Sequence, residues 1–333
     1  MINPKSYSKV LGFAVLLTLI VIVLGAYTRL TDSGLGCPDW PGCYGQLSVP
    51  ENISTHEYQR PLEKHKAWNE MIHRYVAGTL GFVVLFILFM TIRGKNVLKQ
   101  SVGLPLLLLA TVIFQALLGM WTVTLLLSPL IVTAHLLGGF TTLSLLWWLW
   151  LNNRSTTLHS NNSDSSPVIH KSSLLKIAAL FGLLLVIIQI FLGGWTSTNY
   201  AALACGTQFP SCFNSWWPDM DFVKGFELTH ESGVDYEFGV LESPARTAIH
   251  YTHRMGALVV FSYMLLLGIR LLSVGGTFSK LAKLLLVVLF SQVSLGIMNV
   301  MLGLPIAVAT LHTLFAALLL LATLAITHRI IKS

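Results

Sequence analysis

The chain is short of charge. Of its 333 residues only 11% are Asp, Glu, Lys or Arg, while 54% are hydrophobic and mean hydropathy is +0.71. A soluble domain carries about a quarter charged residues, so a water-soluble globular protein is excluded. Acid is scarcer than base, 14 Asp and Glu against 21 Lys and Arg. In so apolar a chain that surplus reports membrane orientation, and binding to nucleic acid has no support. Cysteine is limited to four residues. No histidine stands at ligand spacing beside them, which argues against zinc. The first apolar stretch follows Lys5 and Lys9 but runs too long for a signal peptide and lacks a small-residue cleavage site. It reads as a retained helix.

What the chain does have is apolar runs. Eight stretches, near 10–29, 70–92, 102–123, 130–151, 174–196, 249–272, 281–301 and 306–328, meet the roughly 20 residues a spanning helix takes. With a cytoplasmic N-terminus, thirteen of the 21 bases and only one acid, Asp164, fall on the inner side. That bias predicts cytoplasmic N- and C-termini in a bacterial inner membrane. Cys37, Cys43, Cys205 and Cys212 then all lie outside, in two close pairs facing an oxidising compartment. Two local disulfides are expected, either as loop staples or as redox-active pairs.

The sequence repeats itself. Leu24-Gly25-Ala26-Tyr27-Thr28 followed by Cys37 matches Leu192-Gly193-Gly194-Trp195-Thr196 followed by Cys205, at an offset of 168. Gln115 with Leu118-Gly119, Gln189 with Leu192-Gly193, and Gln292 with Leu295-Gly296 form a related string. Small residues for close helix packing would account for the glycines, but not for the ordered glutamines and cysteines. The expected fold is all-α and polytopic: eight transmembrane helices as two four-helix bundles related by a pseudo-twofold axis along the membrane normal. The halves are residues 1–151 and 173–333, joined by a polar cytoplasmic linker, 152–172, rich in Ser, Asn and Thr. The long outer loops before Glu70 and His250 read as ordered caps.

Of eleven histidines, four fall inside predicted helices at similar depth: His73, His135, His253 and His312. Each half offers two from its even-numbered helices, about three to seven residues below the outer end. Paired imidazoles facing across a four-helix bundle suit a six-coordinate haem. Zinc or copper would call for a third ligand, and none is evident. His56, His65, His159, His170, His230 and His328 lie in loops or at an inner helix end and read as solvated.

A short motif recurs 180 residues on: Glu70-Met71-Ile72-His73-Arg74 and His250-Tyr251-Thr252-His253-Arg254. Arg74 and Arg254 suit haem propionates. Glu70 shares a helix face with His73 and is replaced by His250 in the second copy. A carboxylate beside one haem and not the other places acid–base chemistry in the N-terminal half and a relay haem in the C-terminal half.

Over essentially its whole length the chain resembles the haem A synthase family. The likeness lies in the run from Gly25 through Thr31-Asp32-Ser33-Gly34-Leu35-Gly36-Cys37-Pro38-Asp39-Trp40-Pro41-Gly42-Cys43, in Glu70-x-x-His73-Arg74, and in His253-Arg254 with His135 and His312. The resemblance implies an integral membrane oxidoreductase that converts a methyl group of haem O to a formyl group, giving haem A for terminal oxidases. It implies a haem b cofactor on His253 and His312, substrate haem on His73 and His135, a catalytic Glu70 and a functional Cys37–Cys43 pair. The role of Cys205 and Cys212 stays open, since members carry one pair or two. Implied partners are haem O as substrate, a haem O synthase as supplier and a membrane electron acceptor, with room for an oligomer. The rival reading is a dihaem electron-transfer cytochrome, which would set haems near both faces rather than all four ligands near one. A transporter fits the duplication but lacks broken polar helices at mid-membrane.

Overall fold

A computed structural model describes residues 3–53, 58, 60–98, 100–158, 173–229, 231 and 233–332. Its eight long helices are α1 (Pro4–Leu30), α2 (Lys64–Arg93), α3 (Gly103–Thr124), α4 (Pro129–Leu158), α5 (Ser173–Thr198), α6 (Ser243–Val274), α7 (Gly276–Met301) and α8 (Ile306–Lys332). Each is long and apolar enough to cross a membrane. The chain is a multi-pass membrane protein, because a helix satisfies its own backbone where lipid offers no partner. Large side chains such as Phe82 and Leu266 accordingly face outward.

Local sequence sets the ends. Asn3 caps α1, its side chain accepting from Lys5 N, with Pro4 in the first turn. Gly275, at φ 81°, closes α6 and opens α7. That left-handed backbone suits glycine. Several helices outrun the hydropathy reading. α1, α2 and α6 each begin six residues early, at Pro4, Lys64 and Ser243, and α4 continues to Leu158. Hydropathy reports the hydrocarbon thickness; polar turns such as Lys64-His65-Lys66 extend the helix beyond it.

The helices pack as two rings of four. In the first, α1 meets α2, α2 meets α3, α3 meets α4 and α4 returns to α1; α5 to α8 repeat that cycle. The rings join through α1 against α8, α4 against α5 and α4 against α8. One buried cluster runs through both, from Tyr7 and Leu11 to Leu320 and Ile326. The inner ends are locked by Trp147 Nε1 donating to the Leu321 carbonyl at 3.0 Å.

Of the histidines read as solvated, His65 is exposed and His328 is not. His328 is buried, 2.9 Å from Asn152 Oδ1 and edge-on to Trp148. α8 turns it toward the other bundle, which a position near the helix end does not reveal. His65 sits in the first turn of α2. His56, His159, His170 and His230, with linker residues 159–172, lie outside the described residues.

Candidate functional site

The first outer loop is pressed onto α2. A methyl group on Gly36 would stand 2.6 Å from the backbone of Lys66, so only glycine allows the approach. That approach brings Cys37, disulfide-bonded to Cys43, over one face of α2. Cys37 N–H donates to Glu70 Oε2 at 2.9 Å. The other Glu70 oxygen pairs with Arg74 one turn on. Arg74 also donates to the carbonyls of Asp39 (3.0 Å), Pro41 (3.3 Å) and Gly42. Among the described residues Glu70 is the one buried acid.

Deeper in the same bundle His73 and His135 face each other from α2 and α4. Their ring centres are 6.5 Å apart and their planes near perpendicular, at 87°. They sit nine and six residues from their helix starts, slightly deeper than the sequence suggests, because α2 begins early. Each ring lies on a glycine of the neighbouring odd helix. A methyl on Gly25 would meet His73 Cε1 at 3.0 Å, and one on Gly119 would meet His135 Cε1 at 3.4 Å. Small residues thus let the imidazoles lie inside the bundle.

The C-terminal half repeats the seating. Gly193 lies under His253, at 3.2 Å, and Gly296 under His312, at 3.0 Å. The two histidines are within electrostatic range of each other. Here glutamines hold both rings. Gln189 Nε2 is 3.0 Å from His253 Nδ1 and 2.9 Å from its carbonyl, and Gln292 Nε2 is 3.3 Å from His312 Nε2. The sequence showed these glutamines as a repeat but not as partners of histidine. At the position of Glu70, buried His250 donates from Nδ1 to the Ala201 carbonyl at 2.9 Å. Cys205 and Cys212 form the second disulfide. Arg254 donates to the Pro210 carbonyl at 2.6 Å and lies over Phe209.

The donor set fits haem. Two imidazoles on one iron, at metal–nitrogen bonds of about 2 Å, hold their ring centres about 6–6.5 Å apart, and the His73–His135 spacing agrees. His73, His135 and His312 each leave Nδ1 sealed without a partner, as does the Nη1 of Arg254. Sealing a polar atom without a hydrogen bond costs about 1–3 kcal/mol, a cost that ligands in the paired sites would relieve. Among the described residues no cluster of three His, Cys, Asp or Glu side chains could hold a bare metal ion.

The bundles are tied together at this level. Arg29 donates to the Ser197 carbonyl at 2.6 Å and lies over the Tyr200 ring, while Tyr200 donates to Asp32 at 3.3 Å. Thr133 and Thr198 share a hydrogen bond at 3.1 Å. Neither contact was legible as a pairing in the sequence, although Arg29 and Ser197 differ by the repeat offset of 168.

Residues 8–324 match a family described as cytochrome oxidase assembly protein. The chain is 44% identical over 324 residues to the heme A synthase of Shewanella oneidensis, covering 96% of this chain and 94% of that protein. It is 30% identical over 335 residues to the heme A synthase of Mesorhizobium japonicum, covering 92% and 86%. The heme A synthase of Rickettsia akari is 26% identical over 345 residues, covering 94% of each chain.

Proposed function

The chain belongs to the family of cytochrome oxidase assembly proteins, and on that footing we propose that it is a haem A synthase. It is an oxidoreductase of haem A formation, and the dihaem cytochrome reading is the less favoured. In the finer reading, haem O is the substrate, held between His73 and His135, and a methyl group at its edge is oxidised to formyl. Haem b is the resident cofactor, held by His253 and His312. When bound, haem b supplies a one-electron couple.

The observation that carries this reading is the single buried acid. Two histidine sites seated alike on glycines differ in that Glu70 stands over one and His250 over the other. Oxidising a methyl group removes protons from carbon, and a carboxylate sealed from water is suited to accept them or to stabilise a developing cation. Arg74 and Cys37 N–H hold that carboxylate in one orientation. Arg74, though bound to loop carbonyls, remains the proposed contact for a substrate propionate, and Arg254, with a free Nη1, for one of haem b.

The two halves, residues 1–151 and 173–333, are proposed as pseudo-twofold copies joined by a cytoplasmic linker. Exchange of α1 with α5 and α4 with α8 across the interface supports this. The charge bias supports an inner-membrane protein with cytoplasmic termini and histidine sites near the periplasmic face. A haem O synthase as supplier and a membrane electron acceptor complete the scheme.

Replacing Glu70 by Gln keeps an acceptor for Cys37 N–H and removes the charge. Conversion of haem O should fall by about 100-fold or more while both pigments remain bound in the purified protein. Full conversion by Glu70→Gln with both haems present would sink the role of Glu70. Haem b alone at both sites of the unaltered protein would favour the cytochrome.

A further inference from the structure

A groove of about 500 Å³ opens between α3 and α4 on the outside of the N-terminal bundle, within the range of ligand clefts. Its walls include Ala134, Gly138 and Thr141 of α4 and Gln115 of α3. It starts beside His135, since Gly138 lies one turn below that residue on the same face. From there it runs inward about 9 Å to Thr141, at 1.5 Å per residue.

The C-terminal half carries bulkier side chains at the equivalent α4 positions. The shift of 177 residues that carries Gln115 to Gln292, Gly119 to Gly296 and His135 to His312 also carries Ala134 to Leu311, Gly138 to Phe315 and Thr141 to Leu318. On α4 three small or polar positions become three large apolar ones, while on α3 Phe114 becomes Ser291. Phe315 packs against the core cluster. The small floor that Gly138 and Thr141 give the groove is thus particular to the N-terminal half.

One polar atom in it is unexplained. A methyl on Gly138 would fall 1.7 Å from Gln115 Nε2, so that amide lies directly over Gly138. It is sealed from solvent and, among the described residues, has no partner, whereas Gln292, its counterpart, meets His312. A lipid acyl chain would leave the amide unsatisfied. A chain that is apolar along its length but carries a hydroxyl near its root would satisfy it.

We propose that this groove receives the long hydroxylated isoprenoid chain that distinguishes haem O from haem b, with Gln115 Nε2 donating to its hydroxyl. The proposal rests on the substrate reading of the His73–His135 site and adds what selects the substrate there. The porphyrin lies between the histidines with its propionates outward, and the chain runs inward along α3 and α4. Phe315 closes the equivalent path in the other half, which therefore takes a haem without such a chain.

The test is spectral titration of the purified full-length protein with haem O and, separately, haem b. His73→Ala serves as the reference that identifies uptake at the N-terminal site. Detergent is itself apolar, so the preference comes from packing and the Gln115 bond, and amounts to roughly tenfold in favour of haem O. Gly138→Phe and Ala134→Leu copy the residues of the C-terminal half. Each should bring the haem O to haem b ratio close to one, with haem b affinity within about twofold and the pigment of the C-terminal half unchanged. A ratio that stays at its original value in both variants overturns the groove, as it would if only a lipid acyl chain lay there. Should Gly138→Phe lose both pigments, Ala134→Leu decides, because it narrows the groove away from Gln115. No His73-dependent uptake of haem O by the unaltered protein would sink the substrate reading itself, a different result from an unchanged ratio.

Discussion

The two bundles hold the same four imidazole seats and treat them differently. In the C-terminal half Gln189 and Gln292 each contact a histidine ring. In the N-terminal half the residue at the position of Gln189 is Val21, and Gln115 leaves its amide unpartnered. Partners behind a metal-bound histidine fix its orientation and typically change metal affinity by about 10–100-fold. Rings braced by a side chain suit a cofactor that stays; rings without that brace suit a substrate that must leave as product. The acid follows the same division, Glu70 over the pair without that brace and His250 over the braced one. On the proposed reading, a handful of side chains make one site a holder and the other a workplace.

The comparison breaks most sharply at the ligands. His253→Ala should remove the resident haem almost completely from the purified protein, while His73→Ala should leave it in place, as read by extraction and quantitation of the pigment. Equal loss from both variants would mean the halves are not distinct sites. A subtler break copies one half onto the other. Gln189→Val places the Val21 residue under His253 and should weaken retention of the resident haem by about 10–100-fold, seen as loss of pigment on prolonged washing. The reverse change, Val21→Gln, should slow pigment release from the N-terminal site. If Gln189→Val retains haem as the unaltered protein does, the distinction between braced and unbraced rings has no energetic content.

Much of this was legible in the sequence. The eight helices followed from apolar length, and both cysteine pairs from their proximity. The four inward histidines stood out because a titratable ring inside a membrane helix is costly unless used. What stayed hidden has a common cause. Contacts between elements, such as Glu70 with Cys37 N–H or Gln189 with His253, depend on how a loop lies on a helix and which rotamer wins. No periodicity encodes that. His328 shows the same limit, since its distance from the helix end gave no sign that α8 turns it toward Asn152. The groove beside Gly138 was present in the sequence all along. It becomes visible only once His135 and His312 are known to occupy equivalent seats, so that Gly138 and Phe315 can be compared.

The smallest expected effect concerns how the halves are joined at the outer surface. Arg60, from the first outer loop, pairs with Glu237 at 2.6 Å and with Asp235, both from the loop before α6. Asp235 is 46% exposed and the Arg60 side chain 28%, so solvent screens that contact to about 0–1 kcal/mol; Glu237, at 11%, is more enclosed, and its contact sits at the upper end, about 1 kcal/mol. The loop before α6 also meets the turn between α3 and α4, Tyr236 N–H donating to the Leu126 carbonyl at 3.0 Å, a bond that survives loss of the arginine. Arg60→Ala should therefore lower the melting temperature by no more than about 3 °C and leave pigment content unchanged in both halves. The deeper ties, Arg29 to Ser197 and Thr133 to Thr198, would still hold the histidine sites in register. A large drop in pigment for Arg60→Ala would move the seat of coupling from the helices to the loops, and the two bundles would have to be regarded as clamped from outside rather than packed together.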